Sequence, residues 1–323
     1  MRQPSHRNAA WHAGVGLAQA GYHAVLALAG LAAHAVPEPP LFGGLAAMMR
    51  WMPERLLGRR YRAALANLAI LDLHGVDAMR QARRHVVLEL LRDVRFRRWE
   101  IHDPLQWRRR IRATRWDDPH RLWLRASKGR RLIALLHTGD HRLAVAAVIE
   151  RHTVPTHFYV PALCIKGDRM HTALKSLEQF GHQVEIGDPT DPRVVVTMHR
   201  RMAQGVTVIV FVDFPSVLGP MRFGEPFACQ WPGRDARLAL APLELAHRAG
   251  VPALLAGHRL DQRGNGCLHL LHHADPRDAQ ATVPATMRHA SDFIGEDPAN
   301  WFFLDRADSH LHLRATTRGV VGG

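Results

Sequence analysis

From Arg131 onward, short apolar runs alternate with longer helical ones, and this alternation constrains the fold of the 323-residue chain more than any other feature. Leu132–Leu136, Thr156–Val160, Gln183–Ile186, Val206–Val212 and Pro252–Gly257 have strand length. The fourth is rich in the β-branched side chains that suit a buried, pleated strand. Between them, Leu143–Ile149, Met170–Phe180 and Ala236–Arg248 have the length and texture of helices. Strands that alternate with helices imply an α/β fold: a layered, largely parallel sheet flanked by helices.

The chain ahead of this region has a different periodicity. Between Met52 and about Trp99, Leu65, Leu68 and Ala69, then Val86, Val87, Leu90 and Leu91, recur at helical steps, with a turn at Asp72-Leu-His-Gly75. No internal repeat or low-complexity linker intervenes. Residues 41–323 are therefore expected to form one domain, with basic helices over about 41–125 packed on the α/β body.

Residues 8–37 contain no Asp, Glu, Lys or Arg. That stretch is long enough to cross a bilayer, for which about 20 residues suffice. His12, His23 and His34 recur every eleven residues, which puts a polar stripe on a helix and suits an interfacial anchor at least as well as a span. We expect residues 1–40 to be an N-terminal helical membrane-associating segment, closed by Pro37, Pro39 and Pro40. A cleaved signal peptide ending near Ala33-His34-Ala35, or a buried helix, are the other readings of the same stretch.

Charge is distributed unevenly. Of the formal +14, residues 1–130 supply 23 Lys and Arg against 10 Asp and Glu, whereas the rest of the chain holds 20 against 19. Such asymmetry implies an anionic partner surface. Arg95-Phe-Arg-Arg-Trp99 and Trp107-Arg-Arg-Arg-Ile-Arg112 interleave guanidinium and aromatic groups, which suit lipid phosphates and the headgroup region. Beside an uncharged apolar segment, this favours anionic membrane lipid over nucleic acid. Cys164, Cys229 and Cys267 are odd in number and widely spaced, so no disulfide framework can be read and a reducing compartment is implied.

No Gly-x-Ser-x-Gly elbow, Gly-x4-Gly-Lys-Ser/Thr loop or Gly-x-Gly-x-x-Gly turn occurs. Their absence argues against a serine hydrolase, a nucleotide-dependent kinase and a Rossmann dehydrogenase. The segment that does suggest chemistry is Leu135-Leu-His-Thr-Gly-Asp-His-Arg142. A strand leading into His137, a Thr-Gly turn and then a helix would set an imidazole at the carboxyl end of a strand, where ligand sites of open α/β sheets gather. An imidazole there can act as general base, and N–H groups at the helix start can face a developing oxyanion. His137 and His141 have spacing that could hold a metal, but no third ligand is evident and none is expected. His272-His273 beside Asp275 is expected in an exposed loop.

Further landmarks lie along the chain in a recognisable order. They are Arg62-Ala-Ala-Leu-Ala-Asn67-Leu68, the Gly129–Gly139 strand and His-x-Gly turn, Gly205–Asp213, Arg222-Phe-Gly224-Glu-Pro226-Phe-Ala228, and Pro298-Ala-Asn-Trp301. Over roughly residues 55–306 the chain resembles the lysophospholipid acyltransferase superfamily and, within it, the lipid A biosynthesis late (lauroyl/myristoyl) acyltransferase family. The resemblance implies an O-acyltransferase at the cytoplasmic face of a bacterial inner membrane. Such an enzyme would move a fatty acyl group from an acyl thioester, on acyl carrier protein or CoA, to a hydroxyl of a lipid A-like glycolipid or related amphiphile, without a cofactor.

In that family the base belongs to a His-x4-Asp/Glu motif whose acid orients it. Here His137 is in place, but Arg142 stands where the acid would be. Asp140 is the first candidate to orient the base, although it could equally cap the following helix. Asp213, at the end of another strand, is the second. The resemblance also makes Arg142, Asp213, Arg222 and Arg234 candidate substrate-binding residues, the last two for phosphate. A non-catalytic, lipid-binding relative with a degenerate motif is the alternative.

Overall fold

The computed structural model describes residues 38–101, 104–126, 131–164, 166–214, 227–231, 234–238, 240–277 and 283–309. Residues 1–37 of the N-terminal anchor expected at 1–40, and residues 222–226 of the block that begins at Arg222, lie outside them. The described residues form nine strands: β1 (Arg115–Asp117), β2 (Leu132–Leu135), β3 (His157–Pro161), β4 (Gln183–Gly187), β5 (Thr207–Phe211), β6 (Phe227–Gln230), β7 (Asp235–Leu238), β8 (Ala253–Leu260) and β9 (Gly266–Ala274). Seven make one sheet in the order β1-β9-β8-β2-β5-β3-β4, with β6 and β7 forming a separate hairpin. Every pairing in the large sheet is parallel except β8 with β9. This is a mixed α/β architecture with a mostly parallel sheet.

Helices cover both faces, which is why the central strands read as continuous apolar runs. Successive side chains of a strand point to opposite faces. On β2, Leu132 and Ala134 therefore join one core, and Ile133 and Leu135 the other. The first core is closed by α1 (Glu38–Trp51), α2 (Gly58–Ile70), α3 (Gly75–Ile101), α8 (Val194–Ala203), α9 (Ala241–Arg248) and α10 (Val283–Glu296). The second is closed by α4 (Pro104–Arg112), α5 (Leu122–Ala126), α6 (His141–Glu150) and α7 (Arg169–Ser176). Helix α6 is apolar almost all round because it is enclosed, with Leu143 through Ile149 all buried. Burying each such Leu, Ile or Val contributes about 1.5–3 kcal/mol.

Three expectations need correction. Pro39 and Pro40 open α1 rather than only closing the segment before it, because the first helical turn has no internal N–H partners to lose. The region 236–248 begins as strand β7, whose exposed–buried alternation has the period of a strand, and only then becomes α9 with Pro242 in its first turn. His272 and His273 lie in strand β9, half-buried, and not in an exposed loop. No helix among the described residues is long and apolar enough to cross a membrane.

Candidate active site

The register of two parallel strands builds the site. Leu135 at the end of β2 lies opposite Phe211 at the end of β5. Neighbouring strands are about 4.8 Å apart, so two further residues along each bring His137 beside Asp213. There His137 Nδ1–H donates to Asp213 Oδ1 at 2.8 Å. Asp213 is fully buried, and its two oxygens also accept from the His137 backbone N–H at 3.0 and 2.9 Å and from Trp301 Nε1–H at 3.0 Å. Such donors offset the penalty of burying a carboxylate. A carboxylate only accepts, so Nδ1 carries the hydrogen and the lone pair of His137 falls on Nε2. The ring stacks on Phe211 at 4.0 Å between centroids and meets Phe303 edge-on at 4.9 Å.

The turn after His137 is pinned from three directions. Gly139 has φ +52°, and a Cβ there would lie 2.5 Å from the carbonyl oxygen of His258, so only glycine fits. Its N–H donates to the Asn300 carbonyl at 2.9 Å, and its carbonyl accepts from Arg92 Nε. Arg92, buried on α3 and paired with Glu89, also donates to the Asn300 carbonyl at 2.6 Å. The His137 carbonyl accepts from Phe302 N–H at 2.7 Å. The Asp140 N–H donates to His258 Nδ1 at 2.9 Å, and His258 N–H donates to Thr138 Oγ1 at 3.1 Å. Burial holds His258 down at about 3, which keeps its ring a neutral acceptor.

Asp140 does not meet the imidazole of His137. It caps α6 by accepting from Leu143 N–H at 3.2 Å and faces Arg95 across 3.6 Å. The structure thus gives the second candidate, Asp213, the hydrogen bond to His137. It also uses the N–H groups of His137, Gly139, Asp140 and Leu143 within the protein, leaving those of His141 and Arg142 as donors of the first helical turn with no acceptor among the described residues.

Arg142 and His141 stand beside His137 in the wall of an apolar cavity of about 170 Å³. The rest of that wall includes Val160, Ala173, Leu174 and Phe214. The Arg142 guanidinium lies over the Phe96 ring at 4.1 Å, and burial lowers it below the usual arginine range. Burial, followed by the charges of His137 and Arg142, pushes His141 well below the usual histidine range. The ring centroids of His137 and His141 are 5.2 Å apart. No cluster of metal-ligating side chains occurs among the described residues.

Arg234 lies elsewhere, exposed in the β6–β7 turn and ion-paired with Asp72 at 2.5 Å. Arg222 lies outside the described residues. Arg92 and His258 escaped the sequence reading, because nothing local marks them and only packing brings α3 and β8 to the turn. Trp301 stood in the Pro298–Trp301 landmark, but its tie to Asp213 had no local signal. No protein-family model matches the chain, and no curated protein matches it.

Proposed function

We propose that this protein is an O-acyltransferase that moves a fatty acyl group from an acyl thioester to the hydroxyl of a lipid A-like glycolipid or related amphiphile. The observation that carries this reading is the His137–Asp213 hydrogen bond in the wall of an apolar cavity. In the proposed reaction, Nε2 takes the proton of the acceptor hydroxyl as its oxygen attacks the thioester carbonyl. The new C–O bond forms, the C–S bond breaks, and the proton passes from the imidazolium to the departing thiolate. Asp213 orients the ring and stabilises the transient imidazolium. The N–H groups of His141 and Arg142 are the nearest candidates to face the oxyanion.

The apolar wall supports an acyl chain as ligand, and Arg142 supports an acidic or phosphorylated group close to the reacting atoms. Acyl carrier protein or acyl-CoA would supply the thioester. The excess of arginine before residue 131 would hold the enzyme against anionic lipid at the cytoplasmic face of the inner membrane. Lipid mass spectrometry on cells that express the wild type or His137→Ala tests the reading. A new acylated lipid that appears with the wild type and vanishes with the variant is expected; identical lipid profiles would reject it.

A further inference from the structure

A second cavity, of about 390 Å³, opens on another side of the start of α6. Leu143 lines it, whereas Arg142 and Val145 line the cavity of His137. Its polar wall is unusual in composition. Arg95, Arg110, Arg115 and Arg263 all contribute, and no carboxylate lines it among the described residues. Acids close by are engaged with neighbouring groups, and Asp117 and Asp261 line an adjoining cavity that shares Arg115, Asn265 and Gly266 with this one. Asp140 faces Arg95, and Asp261 accepts from the N–H groups of Arg263 and Asn265 in the turn before β9.

The four guanidinium groups sit at two depths. Arg95 is buried and donates to the Gly264 carbonyl at 2.6 Å, and Arg110 is half-buried over the Trp107 ring at 5.3 Å. Arg115 and Arg263 are exposed at the rim, and neither makes a side-chain hydrogen bond or contact ion pair among the described residues. Thr114, only 7% exposed and as buried as Arg95, also lines the cleft, and its Oγ1 has no hydrogen-bond partner among the described residues. A buried hydroxyl left unsatisfied in a native fold calls for an explanation, and a bound acceptor is the simplest. Like charges crowded around one concavity repel each other unless an anion joins them. Arginine meets the oxygens of a phosphate with paired N–H donors.

We infer that this arginine-walled cleft is a binding site for a phosphomonoester, held by Arg115 and Arg263 at the rim and by Arg110 and the Thr114 hydroxyl within. It is separate from the His137 cavity and does not depend on the acyl-transfer reading. The phosphate could belong to a soluble metabolite or to a lipid headgroup, and both offer the same oxygens to the same donors.

Glycerol 3-phosphate binding by calorimetry, and flotation with phosphatidylcholine vesicles with or without phosphatidic acid, test the site on the full chain. Arg115→Gln and Arg263→Gln are exposed changes that leave the core intact, and Thr114→Val is isosteric. Each arginine variant should weaken binding roughly tenfold, and Thr114→Val should weaken it measurably. Arg200→Gln, on an exposed face of α8, should leave it unchanged. Binding of the soluble ester would identify a metabolite source, and binding of phosphatidic acid vesicles alone would identify a lipid. If neither probe binds, or if Arg200→Gln weakens binding as much as the rim variants, the cleft is not such a site.

Discussion

His137 Nδ1 lies 2.8 Å from Asp213 Oδ1, although 76 residues separate the two in the chain. The relationship follows from the parallel pairing of β2 with β5, each continued by two residues beyond its last ladder partner. A motif in which the acid follows the histidine along one helix needs no sheet register. Here Arg142 holds that helical position, and the neighbouring strand supplies the carboxylate. Trp301 then fixes the carboxylate from a third segment, so the imidazole is oriented by groups that are themselves held.

The turn that carries His137 should tolerate no side chain at Gly139. A methyl group would meet the backbone and ring of His258 at 2.5 Å and would sit at positive φ. Gly139→Ala should lower stability by about 2–4 kcal/mol, read from urea denaturation at neutral pH. An unchanged unfolding midpoint would mean that the turn is less constrained than described.

Acid should destabilise the protein in a defined window. Burial is the largest cause that lowers His85 to about 4, His152 to about 4 and His258 to about 3. In the unfolded chain each titrates near 6.5, so below about pH 6.5 the unfolded state binds protons that the native state refuses. Stability from these groups is complete above that value and declines as pH falls towards 4, by about 1.4 kcal/mol per pH unit for each histidine. Urea midpoints measured from pH 7.5 to 4.5 should be flat at first and then drop. A midpoint that rose on acidification would contradict the burial of these rings.

The cavity beside His137 should set which acyl chain is accepted. Ala173 lies in its wall and is buried, so Ala173→Phe would fill part of the space. Under the proposed activity, the variant should favour shorter acyl thioesters, with kcat/KM for the longest good substrate falling by about tenfold or more. Competition between thioesters of different length, resolved by product mass, measures this directly. Equal losses for all lengths would place the acyl chain elsewhere.

Arg142 should act on binding more than on the chemical step. It stands in the cavity wall beside His137 and is braced by Phe96. Arg142→Gln should raise KM for an anionic acceptor by about tenfold with a smaller change in kcat. A fall in kcat with KM unchanged would assign the guanidinium to the transition state instead.

How much of this was legible from sequence depended on whether a feature is local. Strands β2, β5 and β8 could be read because both faces are covered, which makes them apolar and bounded by turns. Hairpin strand β7 was not, because Ala236 and Leu238 also fit the helical period of the residues that follow. His137 was visible at the end of its strand, and Asp213 at the end of its own. Which acid the imidazole would meet was not visible, because strand order and register are properties of the assembled sheet. Asp140 lay closer in sequence, yet the first turn of α6 claims its side chain as a cap. Arg92, 47 residues before the glycine carbonyl it holds, could not be assigned by any local pattern.

The most direct test of the account is turnover by purified His137→Ala, Asp213→Asn and Asp140→Asn, with an acyl thioester and a hydroxyl-bearing glycolipid. Asparagine at 213 cannot accept from every donor that now converges there, so ring and tautomer lose their restraint. The account predicts that His137→Ala abolishes transfer and that Asp213→Asn lowers kcat by about 10³-fold with the fold retained. Asp140→Asn, which can still cap α6, should stay within about tenfold of the wild type once corrected for folded fraction. Wild-type-like turnover by Asp213→Asn, or loss confined to Asp140→Asn, would contradict the His137–Asp213 dyad as the centre of the chemistry.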